Sequence, residues 1–130
     1  MAAAQSPMPA SLRRIRLELA REAGHPDGSA EIGYDFVAPL DKQGRIDPDE
    51  WRVHRSLCKA VRFRPGEEVD IGHLLRRPGG SWAFTFDIQG DEKDEAGYRF
   101  GDHVFRTGEY VSVSEDGKLH TFRVASVRAP

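Results

Sequence analysis

From Ile15 onward apolar and polar side chains take strict turns, and this two-residue period constrains the fold more than any other feature of the chain. Ile15, Leu17 and Leu19 fall on one side while Arg14, Arg16, Glu18 and Ala20 fall on the other, as a half-buried strand demands and a 3.6-residue helix does not allow. The period returns with Ile32, Tyr34, Phe36 and Ala38 against Glu31, Gly33 and Asp35. Between the two runs, His25-Pro26-Asp27-Gly28-Ser29 supplies turn chemistry: Pro fixes φ and Gly accepts a positive φ. A hairpin is expected here.

A short helix interrupts the strands. Asp41-Lys42-Gln43-Gly44 reads as a turn, and Asp47-Pro48-Asp49-Glu50 combines an Asp cap, Pro at the first helical position and Glu three residues after the cap. The spacing predicts a helix from Pro48 to about Leu57, with Trp51, His54 and Cys58 along one stripe and Leu57 on its flank. Val61 and Phe63, alternating with Arg62 and Arg64, return the chain to strand.

The segment Phe63-Arg64-Pro65-Gly66-Glu67-Glu68-Val69-Asp70-Ile71 reappears as Phe105-Arg106-Thr107-Gly108-Glu109-Tyr110-Val111-Ser112-Val113, with five of nine positions identical. Each copy reads as an aromatic strand end, a tight Gly turn and a new strand, and each is followed by a hairpin. In the second, Asp116-Gly117 pairs Glu115 with Lys118, Val113 with His120 and Val111 with Phe122, with Val124 on the same face. In the first, Val69, Ile71, His73 and Leu75 are expected to face Trp82, Phe84 and Phe86 across Arg77-Pro78-Gly79-Gly80. Gln89 to Gly97 is polar and acidic and reads as an exposed loop, after which Tyr98 and Phe100 resume the alternation. The fold class is therefore mainly β: a small antiparallel barrel or two-layer sandwich of about eight strands with one short helix, about 48–57.

At 130 residues and 38% hydrophobic content, the chain can bury one core without metals or disulfides. Residues 1–11, rich in Ala, Ser, Met and Pro, read as a disordered leader, and 12–130 as one domain with an internal repeat over 63–71 and 105–113. The lone Cys58 suits a reducing compartment, and no run approaches the roughly 18 apolar residues of a membrane helix. A soluble cytoplasmic protein, a monomer or homodimer, follows. Charge is balanced, 19 basic against 21 acidic residues for a net of -2, which removes the bulk electrostatic argument for nucleic acid.

Candidate sites are few. Gly44, Ile46, Asp47 and Glu50 match the later half of a calcium loop, but Pro39 and Gln43 stand where ligands belong, and a turn plus a helix cap explains every residue. His54, Cys58, His73, His103 and His120 carry the metal-binding side-chain types. Of these His54 and Cys58 are four apart on the helix, and the hairpin registers place His73 and His120 on apolar faces, so His54, Cys58, His73 and His120 form the candidate metal set. Cys58 beside His54 also has the makings of a nucleophile and base, although a cysteine on a Trp51 stripe reads first as a small buried hydrophobe. Arg52, Arg55, Lys59, Arg62 and Arg64, with Arg76 and Arg77, form the candidate binding set for phosphates or an acidic partner; a solvated charged face is the plainer reading.

The segments Ile15-Arg16-Leu17-Glu18-Leu19-Ala20-Arg21, Phe36-Val37-Ala38-Pro39-Leu40-Asp41, Gly79-Gly80-Ser81-Trp82-Ala83-Phe84 and His120-Thr121-Phe122-Arg123-Val124 resemble those of a family of small conserved bacterial proteins, alphaproteobacterial in type, of unassigned function. The resemblance covers nearly everything after residue 11 and implies no activity, cofactor or catalytic residue. The leading expectation is thus a non-catalytic binding or protein-interaction module for a protein or small ligand, without a cofactor. A metal- or cysteine-dependent enzyme using His54, Cys58, His73 or His120 is the second, and RNA or single-stranded DNA binding through Arg52, Arg55, Lys59, Arg62 and Arg64 the third.

Overall fold

The computed structural model describes residues 9–86 and 98–130. Most of the expected leader and the acidic segment at 89–97 lie outside the described residues. The elements in chain order are β1 (Leu12–Leu19), β2 (Ser29–Pro39), α1 (Pro48–His54) with a 3-10 turn (Arg55–Leu57), β3 (Lys59–Phe63), β4 (Asp70–Arg76), β5 (Trp82–Phe86), β6 (Tyr98–Phe100), β7 (Tyr110–Glu115) and β8 (Lys118–Arg128). Every strand pairs antiparallel with its neighbour in sequence, and β8 returns to pair with β1. The sheet is a closed barrel, the first of the two expected architectures.

Closure turns the alternation into an inside and an outside. Ile15, Leu17, Tyr34, Phe36, Phe84, Val111, Val113, Phe122 and Val124 point inward and are almost fully buried. Phe84 sits at the centre, its ring 4.9 Å from Tyr34 and 5.1 Å from both Phe36 and Phe100. Such pairs add about 0.5–1.5 kcal/mol each beyond area burial. The interior is therefore filled by rings, as small eight-stranded barrels are, and is not an empty cup.

The helix forms as its cap chemistry predicts: Asp47 accepts from the amides of Asp49 and Glu50, and Pro48 opens the first turn. It closes one end of the barrel through Trp51, which packs edge-on against Trp82 at 5.7 Å and donates from Nε1 to the Leu74 carbonyl at 3.0 Å. Phe105 closes the same end from the β6–β7 connection, held where its amide donates to the Gly44 carbonyl. The connections at 20–28, 64–69 and 116–117 lie at the opposite end.

The late hairpin has the expected register, with Glu115 opposite Lys118, Val113 opposite His120 and Val111 opposite Phe122; Asp116 and Gly117 both take positive φ, as the tight turn requires. The earlier hairpin is a correction. Leu74 faces Phe84, Gly72 faces Phe86 and Arg76 faces Trp82, so Val69, Ile71, His73 and Leu75 belong to the outer face, and Val69 and Ile71 are exposed. The cause is the loop: it spans 77–81, five residues closed by Arg77 donating to the Ser81 carbonyl, with Gly79 and Gly80 both at positive φ. An odd loop reverses the parity that an even one would set.

The repeated nonapeptide carries the same turn in both places. Glu67 donates to the Arg64 carbonyl and Glu109 to that of Arg106, each beside a left-handed Gly. The strands that follow present opposite faces, however: Val111 and Val113 are buried, whereas the corresponding Val69 and Ile71 are exposed. Phe105, unlike Phe63, lies outside any strand.

Candidate functional site

At the end of the barrel away from α1 the inward-pointing side chains change from apolar to polar. β3 pairs with β2 so that Ala60 faces Phe36 and Arg62 faces Tyr34. Because Phe36 and Tyr34 point inward, so does Arg62, and Arg64 follows two residues on. The expected solvated face does not include these two arginines, whose side chains are only 16% and 26% exposed. Alternating Val61 and Phe63 lie outside, because their neighbours across the sheet are outer-face residues such as Ile71.

These inward groups satisfy one another. Arg62 Nη1 donates to Asp70 Oδ2 at 3.0 Å, directly across the β3–β4 ladder, and its guanidinium lies over the Tyr98 ring. Arg64 Nη2 donates to Glu115 Oε1 at 2.8 Å, and the Tyr34 hydroxyl donates to the other oxygen of Glu115. His120 stands between two carboxylates, with Nδ1 2.9 Å from Glu22 and Nε2 3.8 Å from Glu115. Burial, reinforced by the negative charge and hydrogen bond of Glu115, holds the Tyr34 hydroxyl far above its usual pKa and so protonated. For Arg62 burial opposes the charge, but Tyr98, Tyr34, Glu115 and the Asp70 hydrogen bond outweigh it and raise its pKa.

Among the described residues, the buried Nε atoms of Arg62 and Arg64 have no hydrogen-bond partner. A buried donor without an acceptor costs about 1–3 kcal/mol, more when charged. Beside Arg64 lies a cavity of about 50 Å³, lined also by Glu115, His120, Glu22, His25 and the apolar Leu19, Ile32 and Phe122; Arg62 does not border it. Glu22 and His25 reach it from the 20–28 connection, whose two reciprocal backbone bonds between these residues make a small rigid turn.

The expected site residues are thus dispersed. Arg55 and Arg76 lie over Trp51 and Trp82 at the helix end; Arg52 pairs with Asp49 on α1, and Arg77 sits in the β4–β5 loop. Arg62 and Arg64 belong to the other end. Cys58 follows the 3-10 turn fully buried, its thiol 3.5 Å from the His54 carbonyl and pushed by desolvation up to about 11. His54 pairs with Glu50 at 3.7 Å. His73 stands on the outer face opposite Lys59 and Thr85, a correction to its expected apolar placement, while His120 does point inward. Among the described residues no three His, Cys, Asp or Glu side chains are grouped as a metal would need. His103, near Phe105, has its pKa lowered by burial.

Sequence reasoning picked out Arg62, Arg64 and His120 but missed Tyr34, Glu115, Glu22 and Asp70. The signal was present for Glu115: the register that places Val113 and Val111 inside also turns Glu115 inward. Glu22 carried none, since only the folding of its connection over the barrel end brings it to His120. The fold and this polar end define the class of the protein as an up-and-down antiparallel β-barrel with a filled aromatic interior and a charged mouth. Compared with known protein families, curated proteins and solved structures, the chain matches none.

Proposed function

We propose that the protein is a non-catalytic binding module whose ligand is a small polar molecule, taken at the charged mouth through an oxygen acceptor. The observation that carries this is the pair of buried, unpartnered Nε donors on Arg62 and Arg64. Each guanidinium has one terminal nitrogen engaged by a carboxylate, which orients the group, while its buried Nε is left unpaired among the described residues. A ligand oxygen accepting from the two Nε groups would satisfy donors that the described side chains leave unpaired. Because Asp70, Glu115 and Glu22 balance the positive charge locally, the chemistry favours a carbonyl or hydroxyl oxygen over a free phosphate. The single buried thiol of Cys58 suits a cytoplasmic setting, and no helix among the described residues is long and apolar enough to cross a membrane.

The arginine Nε–H groups report on this directly. Titrating the protein with a panel of amides, polyols, nucleosides and carboxylic acids should shift the Arg62 and Arg64 Nε–H resonances for at least one compound, and Arg64→Met should abolish that shift. A panel that leaves both resonances unmoved, or shifts that survive Arg62→Met and Arg64→Met, would reject the reading.

One observation favours a second reading, a proton-transfer enzyme. The His120 imidazole is held by Glu22 at one ring nitrogen and lies 3.8 Å from Glu115, which also accepts from Tyr34; a carboxylate on one nitrogen orients an imidazole for proton transfer at the other. On this reading His120→Gln abolishes turnover, and a variant that keeps the wild-type rate would exclude it.

A further inference from the structure

A second concave region lies outside the barrel and shares only Leu19 with the lining of the mouth cavity. The β1–β8 and β1–β2 ladders both shift register near Glu18, at the steps 16/17 and 18/19, and the 20–28 connection folds back beside them. The result is an open groove of about 790 Å³ lined by residues that include Glu18, Arg21, Asp27, Tyr110, Thr121 and Arg123. Its size falls in the range of small-ligand sites.

Its floor is an ordered row. Glu18 on β1 lies opposite Arg123 on β8, and Arg123 lies opposite Tyr110 on β7. Tyr110 is 61% exposed, a large ring left open on the surface of a barrel that buries most of its aromatics. Glu18 is held by Arg16 at 2.8 Å, which orients its carboxylate, and Arg123 lies 4.0 Å from the same side chain. Arg21 and Asp27 form the wall.

We propose that this groove binds a saccharide. The exposed Tyr110 ring offers a flat apolar face for the C–H side of a sugar ring. The carboxylates of Glu18 and Asp27 and the guanidinium groups of Arg21 and Arg123 offer the two-pronged hydrogen bonding that adjacent hydroxyls match. Two acidic groups stand against two basic ones, so a phosphate-bearing ligand finds no net positive charge. An open, shallow, charge-balanced groove with one aromatic platform suits a neutral polyol chain that remains partly in water.

The test is a backbone-amide NMR titration of the full chain with maltohexaose, cellohexaose, chitohexaose and, as a phosphate-bearing comparison, uridine monophosphate. At least one oligosaccharide at about 10 mM, a concentration that detects millimolar affinity, should move amides of residues 18–21, 27, 110 and 121–123. Tyr110→Ala should weaken that binding at least about tenfold, or 1.4 kcal/mol; Arg123→Gln should weaken it as well. Because both side chains are on the surface, an unchanged amide spectrum elsewhere verifies that the variants are folded. Groove amides unmoved by all three oligosaccharides, binding unaltered in Tyr110→Ala, or tighter binding of uridine monophosphate at the groove would each overturn the proposal. The amides read here are not the arginine side-chain signals of the mouth, so either site can fail alone.

Discussion

At the scale of single residues, two positions show how little room the barrel leaves. A Cβ on Gly72 would stand 1.7 Å from the Thr85 carbonyl oxygen and 2.7 Å from the Phe86 Cα, both backbone atoms that cannot rotate away. Gly72→Ala should therefore destabilise the protein by about 3 kcal/mol or more in urea titration. Gly101→Ala, where nothing lies within 4 Å, should stay within about 0.5 kcal/mol. Cys58 is the other case. Its thiol is buried and held protonated, so an alkylating reagent at pH 8 should label it no faster than the protein unfolds, whereas rapid labelling of native protein would revive a nucleophilic role.

At the scale of elements, α1 is a lid whose contribution rests on one side chain. Trp51 fills the helix end against Trp82 and satisfies the Leu74 carbonyl. Trp51→Phe keeps much of the burial but strips the carbonyl of its donor, a cost of about 1–2 kcal/mol; Trp51→Ala loses the packing too, about 3–5 kcal/mol. Asp47→Ala, removing only the cap, should cost about 1 kcal/mol. Chemical denaturation of the three variants should keep this order, and a Trp51→Phe loss equal to that of Trp51→Ala would show that the hydrogen bond, not the ring, anchors the helix. The two late hairpins differ for an equally local reason. Asp116-Gly117 is short enough to dictate one register, whereas 77–81 can in sequence be counted as an even or an odd loop, and the count decides which side of β4 is wet.

For the whole molecule, stability should depend on pH through groups that burial holds neutral. Cys58 is raised from 9.0 to about 11 and Tyr34 is raised from 10.0. Above their ordinary values the unfolded chain gives up these protons while the folded one keeps them, so stability is full below about pH 9 and falls as pH rises from there through 11. His103, lowered from 6.5 by burial, acts on the other side: below that value the unfolded chain binds a proton the fold resists, and stability falls with falling pH. Thermal unfolding across pH should give a plateau between these limits, and Cys58→Ala should flatten part of the alkaline decline. A decline that is identical in Cys58→Ala would assign it wholly to Tyr34 and its neighbours.

Alternation along β1, β2, β7 and β8, the cap at Asp47 and the turn at Asp116-Gly117 were decided by the sequence itself, because each depends only on residues within reach along the chain. Closure of the eight strands, the inward turn of Arg62 and Arg64, and the meeting of Tyr34, Glu115, His120 and Glu22 were decided only in three dimensions. Whether an arginine on an alternating strand faces water or the interior depends on which neighbour its strand pairs with and in what register. That choice is made by the strands on either side, so a charged pair that reads as surface in one dimension became the lining of the barrel's mouth.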